Sequence, residues 1–129
     1  MKKILLISHE YPPQVGGAGI VAKELVENLK SRGYSVDLIT SMGLLKRCWP
    51  FLLVNKFWLL FFYFKYRSIE FDKYNKIIEN DIGAALSVAL FVNKSIFKKI
   101  ILMFHGGEPD LIYNKPQYLF RLKYVRNLY

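Results

Sequence analysis

The sequence predicts an α/β fold in which a parallel β-sheet carries helices on both faces. Three observations predict it. Short runs of Ile, Leu and Val alternate with longer segments of helical period along the chain. Those short runs are apolar at consecutive positions, as in strands covered on both sides. The first helical segment also lies between two such runs, with glycines at its entry and exit, and so forms a right-handed β-α-β unit with parallel strands.

The first strand is expected over residues 2–8. "MKKILLISHE" has the lysines and apolar run of a secretion signal, but Ile4 to Ile7 is too short and no small-residue cleavage site follows. A helix is expected over 19–32. Ala18, Val21, Ala22, Leu25 and Leu29 share one stripe, and Lys23, Glu24, Glu27, Lys30 and Arg32 face away. Gly33 stops it, and the second strand is "SVDLIT", residues 35–40. A third strand is expected over 74–79, followed by Asp81 as the cap of a helix, "IGAALSVALFV", that is apolar nearly all round. "KIILMFH", residues 99–105, is the fourth strand. The loop "GGEPDLIYNKP" leads from it to a last helix from about Gln117, lined by Tyr118, Leu122, Val125 and Tyr129. No internal repeat or low-complexity segment interrupts the pattern. The 129 residues fit one domain with a real core.

Between Gly43 and Asp72 lies a segment of another kind, "CWPFLLVNKFWLLFFYFKYRS". It is apolar and aromatic, and it is too short and interrupted for a membrane span of about 20 apolar residues. Lys46, Arg47, Lys65 and Arg67 flank a core that includes Trp49, Phe57, Trp58 and Phe61. Basic flanks around aromatic residues describe a helix lying in the interface of an anionic bilayer. A core helix between strands two and three, or a helix covered by a further domain, fits the same residues.

Nineteen Lys and Arg against ten Asp and Glu give a net charge of +9, which favours an anionic partner. Nucleic acid is the least supported such partner, resting on charge alone: the basic residues form no single run and no DNA- or RNA-binding motif occurs. Cys48 is the only cysteine. It precludes an intrachain disulfide, points to a reducing compartment, and reads as a small core residue.

The stretch "SHEYPPQVGGAGIVAKEL" leaves the first strand through two prolines and three closely spaced glycines before the helix begins. In an open parallel sheet, ligands lie beyond the carboxyl ends of the strands. Glycine admits a ligand close to the backbone, and the start of a helix offers N–H groups and a positive dipole end to an anion. Gly16, Gly17 and Gly19 fit a phosphate cradle, and they also fit a plain tight turn. A nicotinamide fingerprint is excluded. The residues His9 to Val15 separate the strand from the first glycine, and the second strand ends in Thr40 and Ser41 rather than an acid. His9 follows the first strand and His105 ends the fourth, both at the carboxyl edge. Either is a ligand contact or a structural histidine. Glu108 and Asp110 sit two apart in a loop, and a solvated loop accounts for them.

"EYPPQVGGAGIVAKELVENLKSRGYSVDLIT" resembles the opening of the retaining, nucleotide-sugar-dependent glycosyltransferases of the two-domain GT-B architecture (glycosyltransferase family 4-like). "KYNKIIENDIGAALSVAL" is similar to that family's later strand-then-helix segment, and "KIILMFHGGEPD" to its strand ending in a His-Gly pair. The resemblance covers most of the chain except the aromatic segment. It implies a Rossmann-like parallel sheet, the first, acceptor-side half of a GT-B enzyme. Gly16, Gly17 and Gly19 would then bind the donor's phosphate or sugar, and His105 would be the catalytic contact to the transferred sugar. His9, Asn80 and Asp81 are the acceptor-side candidates by their place at the carboxyl edge, and no family motif supports His9. The substrate implied is a nucleotide sugar, with no cofactor and no metal required. The acceptor is a lipid-linked glycan in cell-surface polysaccharide synthesis, which implies a cytoplasmic chain, peripheral at the inner face of the cytoplasmic membrane. The family's second domain grips the nucleotide and carries an E-x7-E pair. No counterpart follows Tyr129, so the chain is expected to be a truncated half that needs a nucleotide-binding C-terminal half in cis or in trans. The alternative is a non-catalytic membrane-recruitment or partner-binding subunit of a split glycosyltransferase.

Overall fold

The computed structural model describes residues 2–13, 16–41 and 51–106, with backbone alone for 51–58. The described elements are β1 (Lys3–Ser8), α1 (Gly17–Ser31), β2 (Ser35–Thr40), α2 (Phe51–Arg67), β3 (Lys76–Glu79), α3 (Ile82–Phe91) and β4 (Ile100–Leu102), with short 3-10 turns at Phe71–Lys73 and Lys94–Lys99. The four strands form one sheet in the order β2-β1-β3-β4. All pairs are parallel: Ile7 lies between Ile39 and Glu79, and Ile78 opposite Ile101.

Alternate residues of each strand feed two cores. Leu5, Ile7, Ile39 and Ile77 pack with Phe62 and Tyr66 of α2 and Ala84 and Val88 of α3. Ile4, Leu6 and Ile78 pack on the other face with Ala22 and Val26 of α1. This α/β, Rossmann-like sheet with a helix layer on each face is the fold class the apolar runs predict.

Several boundaries differ from expectation. Helix α1 starts at Gly17, not at 19, because Gly16 is extended and its carbonyl already accepts the Ile20 N–H at 3.2 Å. Gly17 and Gly19 therefore lie inside the first turn. The buried line of α1 runs through Gly19, Ala22 and Val26, with Val21 off it. Closest approach falls on the residue without a side chain: a Cβ on Gly19 would stand 3.3 Å from the Tyr11 amide nitrogen. The Gly33 stop is as expected. Its φ of +83° is open to glycine, and the Tyr34 N–H returns to the Leu29 carbonyl at 3.1 Å.

Strand β3 starts at Lys76 rather than 74, since Tyr74 closes the preceding 3-10 turn by donating its N–H to Phe71. Strand β4 is three residues, not seven. The 3-10 turn that buries Ile96 consumes its start. At its end the Met103 N–H reaches Glu79 at 2.8 Å, and there β3 turns away into α3, leaving Phe104 and His105 beyond the ladder.

The aromatic segment supplies α2. Its inner residues Phe62 and Tyr66 are buried, so this face is a core helix face, while Leu60 and Phe64 on the outside are 49% and 67% exposed. Among the described residues no helix is long and apolar enough to cross a membrane. Lys46, Arg47, Cys48, Trp49, Glu108, Asp110 and the last expected helix lie outside the described residues, as do the side chains of Phe57 and Trp58.

Candidate functional site at the carboxyl edge

Chain order reverses between β1 and β3. From β1 the chain crosses through α1 to β2 on one side, and α2 then carries it back to β3 on the other. The loops leaving β1 and β3 diverge toward opposite faces, which opens a crevice at their carboxyl ends. Its walls are residues 8–10, the start of α1, residues 79–81 with the start of α3, and residues 103–105.

Asp81 organises the crevice. Its Oδ1 accepts the Ala84 N–H at 2.8 Å, the helix cap expected from the sequence. Its Oδ2 accepts the His9 N–H at 2.6 Å and the Glu10 N–H at 3.3 Å, and lies 2.8 Å from the Ser8 hydroxyl. One buried carboxylate thus holds the loop after β1 to the start of α3. Such a carboxylate is sustained by its donors. The Ser41 hydroxyl adds a bond to the His9 carbonyl at 2.6 Å, which ties in the end of β2.

Asn80 is fully buried. Its amide nitrogen donates to the Ala18 carbonyl at 2.8 Å and to Ser8 Oγ at 3.1 Å. Its Oδ1 lies 3.3 Å from His105 Nε2. Asn80 therefore joins the first turn of α1, the end of β1 and His105. Asn80 and Asp81 are thus both buried and tied into the framework of the crevice.

His9 packs its side chain on Gly83 in the first turn of α3, where a Cβ would stand 2.8 Å from His9 Cβ. Gly83 has no sequence signal beyond its place two residues after a cap. Gly16 faces the Glu10 carboxylate, which occupies the space a Cβ on Gly16 would need. Among the described residues, nothing lies within 4 Å of a Cβ placed on Gly17. The glycines thus divide by role: Gly19 and Gly83 allow close packing, Gly16 makes room for Glu10, and Gly17 borders open space.

Beneath the crevice, Glu79 is fully buried at the end of β3. The Tyr66 hydroxyl and Ser87 Oγ are 2.6 Å apart. Ser87 donates to the Ala84 carbonyl at 2.7 Å, so Tyr66 is the donor of that pair. Burial pushes the Tyr66 hydroxyl well above its ordinary range, and the charges of Glu79 and Asp81 add to this.

The edge as described carries Glu10, Glu79 and Asp81. No Lys or Arg occurs in residues 8–13, 79–81 or 103–106, or in the first turns of α1 and α3. Among the described residues no group of three or more His, Cys, Asp or Glu could hold a metal ion. No protein-family model, curated protein or solved structure matches the chain. The site's chemistry therefore rests on its own residues: hydrogen-bonding groups, two histidines and a helix start with open space at Gly17.

Proposed function

We propose that the chain is the acceptor-side domain of a nucleotide-sugar-dependent glycosyltransferase of the GT-B type. It transfers a sugar to a lipid-linked or glycan acceptor at the inner face of the cytoplasmic membrane. One observation carries the reading. The three segments that resemble the family come together at the carboxyl edge: Asn80 of the second donates to Ala18 of the first and lies 3.3 Å from His105 of the third. In the proposed reaction His105 hydrogen-bonds a hydroxyl of the transferred sugar, whose anomeric carbon gains positive charge in the transition state. The carboxylates of this edge repel a diphosphate, so the grip on the nucleotide comes from a second, nucleotide-binding half.

The test is sugar incorporation into a lipid-linked acceptor from labelled nucleotide sugars, with the assembly containing both halves. Gly17→Val adds a branched side chain where the fold has open space, so the fold is retained and donor use is lost. His105→Ala lowers turnover by roughly 100-fold or more. Wild-type rates in both variants would discard the reading.

A second reading, a non-catalytic partner-binding subunit, is favoured by the Glu10 carboxylate beside Gly16, where a donor phosphate would approach. In that case the complete assembly transfers sugar equally well with Gly17→Val and His105→Ala.

A further inference from the structure

The helix layers on the two faces of the sheet differ in charge. On α1 the exposed Ile20 shares a stripe with Lys23, Glu24 and Glu27, and the Lys23 ammonium lies 3.9 Å from the Glu27 carboxylate. Both signs mix there, as on an ordinary solvated helix face. The opposite layer lacks this mixture. Neither α2 nor α3 nor the 3-10 turn Lys94–Lys99 contains an Asp or a Glu. Lys65 and Arg67 close α2, and Lys94 and Lys98 follow α3. The acids that follow α2, Glu70 and Asp72, are paired with Lys73 at 2.9 Å and Lys99 at 3.6 Å.

This acid-free layer also exposes apolar surface. Phe64 is 67% exposed, Leu60 49% and Leu90 38%. Tyr63 bridges the two helices: its ring centroid lies 5.4 Å from that of Phe64 and 5.3 Å from that of Phe91. Its hydroxyl accepts from Arg67 at 2.8 Å. The surface over α2 and α3 is therefore apolar and rimmed by cations. A second copy of the same layer would set cations against cations. An anionic bilayer matches both features, because it takes apolar side chains below its headgroups and Lys and Arg among them.

We infer that α2 and α3 together form a docking face for an anionic bilayer, with α1 turned away from it. The sheet then lies flat over the membrane. Its carboxyl edge opens sideways, one helix layer of about 10 Å above the headgroups. The docking is independent of sugar transfer. That the sideways crevice meets a lipid-linked acceptor rests on the proposed function.

Nitroxide labels on single cysteines, in a Cys48→Ser background, test this with vesicles of phosphatidylglycerol and phosphatidylcholine. Labels at Phe64→Cys and Leu90→Cys should gain access to lipid-dissolved oxygen on binding, while a label at Glu24→Cys stays in water. Raising salt from about 0.1 M to 1 M should weaken the binding. Leu90→Glu and Lys94→Glu should each lower it by about fivefold or more, with the circular dichroism spectrum unchanged. Lys94 is exposed, so its variant keeps the test decisive if Leu90→Glu does not fold. A contact made by α2 alone would leave both variants at wild-type binding, and that result overturns the inference. So does a Glu24 label that enters the lipid phase. So does a folded chain that stays off the anionic vesicles, whether as a monomer or as a dimer closed through Phe64. Docking without transfer in any assembly would sink the proposed function and leave the docking face standing. Transfer to a soluble acceptor glycan without docking would do the reverse.

Discussion

Asp37 lies at the amino end of the sheet, 2.9 Å from the Lys3 ammonium and 2.7 Å from the Tyr74 hydroxyl. Hydrogen bonds from Lys3 and then from Tyr74 hold its carboxyl below the usual carboxylate range. A carboxyl lowered on folding stabilises the fold above its unfolded value, and that contribution disappears as pH falls through the folded one. Tyr74 shifts the other way, raised from 10.0 to about 12 by burial and then by its bond to Asp37. Its contribution is complete below the ordinary phenol value and is lost as pH rises from there to about 12. Urea midpoints measured from acid to alkaline pH should therefore fall at both ends. Tyr74→Phe should flatten the alkaline fall and leave Asp37 with one donor fewer in acid. Glycines make a second comparison at this scale. Gly83→Ala forces a methyl into the His9 side chain and should cost about 1–3 kcal/mol in denaturant unfolding. Gly17→Ala meets open space and should gain up to about 1 kcal/mol. Little of this contrast was legible in sequence, where Gly17 and Gly83 both simply sit near a helix start. Asp81 was legible as a cap, because capping is local. Its bonds to residues 8–10 join positions more than seventy apart, and no local pattern encodes them.

Helix α2 shows how far periodicity reads an element. Its sequence lacks a polar face over 57–64, so the pattern could not choose between a bilayer interface and a protein core. The sheet decides for one side: Phe62 is 1% exposed beside Leu5, Ile7 and Ile77. Phe62→Ala should cost about 3–5 kcal/mol, and Phe64→Ala should stay within about 0.5 kcal/mol. Thermal melts of the two variants distinguish a one-sided core helix from one buried all round. The outer side remains the surface on which the proposed membrane contact depends. Leu60 and Phe64 are exposed there, with Lys65 and Arg67 in the last turn. Flotation with anionic liposomes at low salt should carry the chain upward, and Phe64→Glu should abolish it. Failure of the folded wild type to float would remove the membrane from the proposal. Strands β3 and β4 were legible as apolar runs but not in length. Ladder ends depend on where the neighbouring strand turns away, and β3 leaves at Asn80.

At the scale of the molecule, parallel topology sorts charge. Strands begin and helices end at the amino edge, and there lie Lys2, Lys3, Lys30, Arg32, Lys65, Arg67, Lys76, Lys98 and Lys99, outnumbering Asp37, Glu70 and Asp72, each of which is paired to a lysine. The carboxyl edge, as described, holds Glu10, Glu79 and Asp81 and no cation. The alternation of strands and helices was enough to predict this architecture, because each β-α-β crossover has one favoured hand. The polarity of the two edges was not legible until the strands had a direction and an order. It bears directly on the proposed activity. Sugar transfer requires the leaving diphosphate to be stabilised as charge develops, with donor and acceptor held in line. Preorganised cations commonly supply that stabilisation, and an edge of carboxylates opposes it. Residues 1–129 alone should accordingly bind a nucleotide sugar weakly and show hydrolysis or no reaction in place of transfer. Turnover should appear when a nucleotide-binding half is supplied in cis or in trans, bringing cations to the diphosphate while His105 and the start of α1 face the sugar. Calorimetric titration of the isolated chain with nucleotide sugars, alongside labelled-sugar incorporation with and without a candidate second half, measures both parts. Robust transfer by residues 1–129 alone would require this anionic edge to stabilise a leaving diphosphate without the second half, and the half-enzyme reading would then be abandoned.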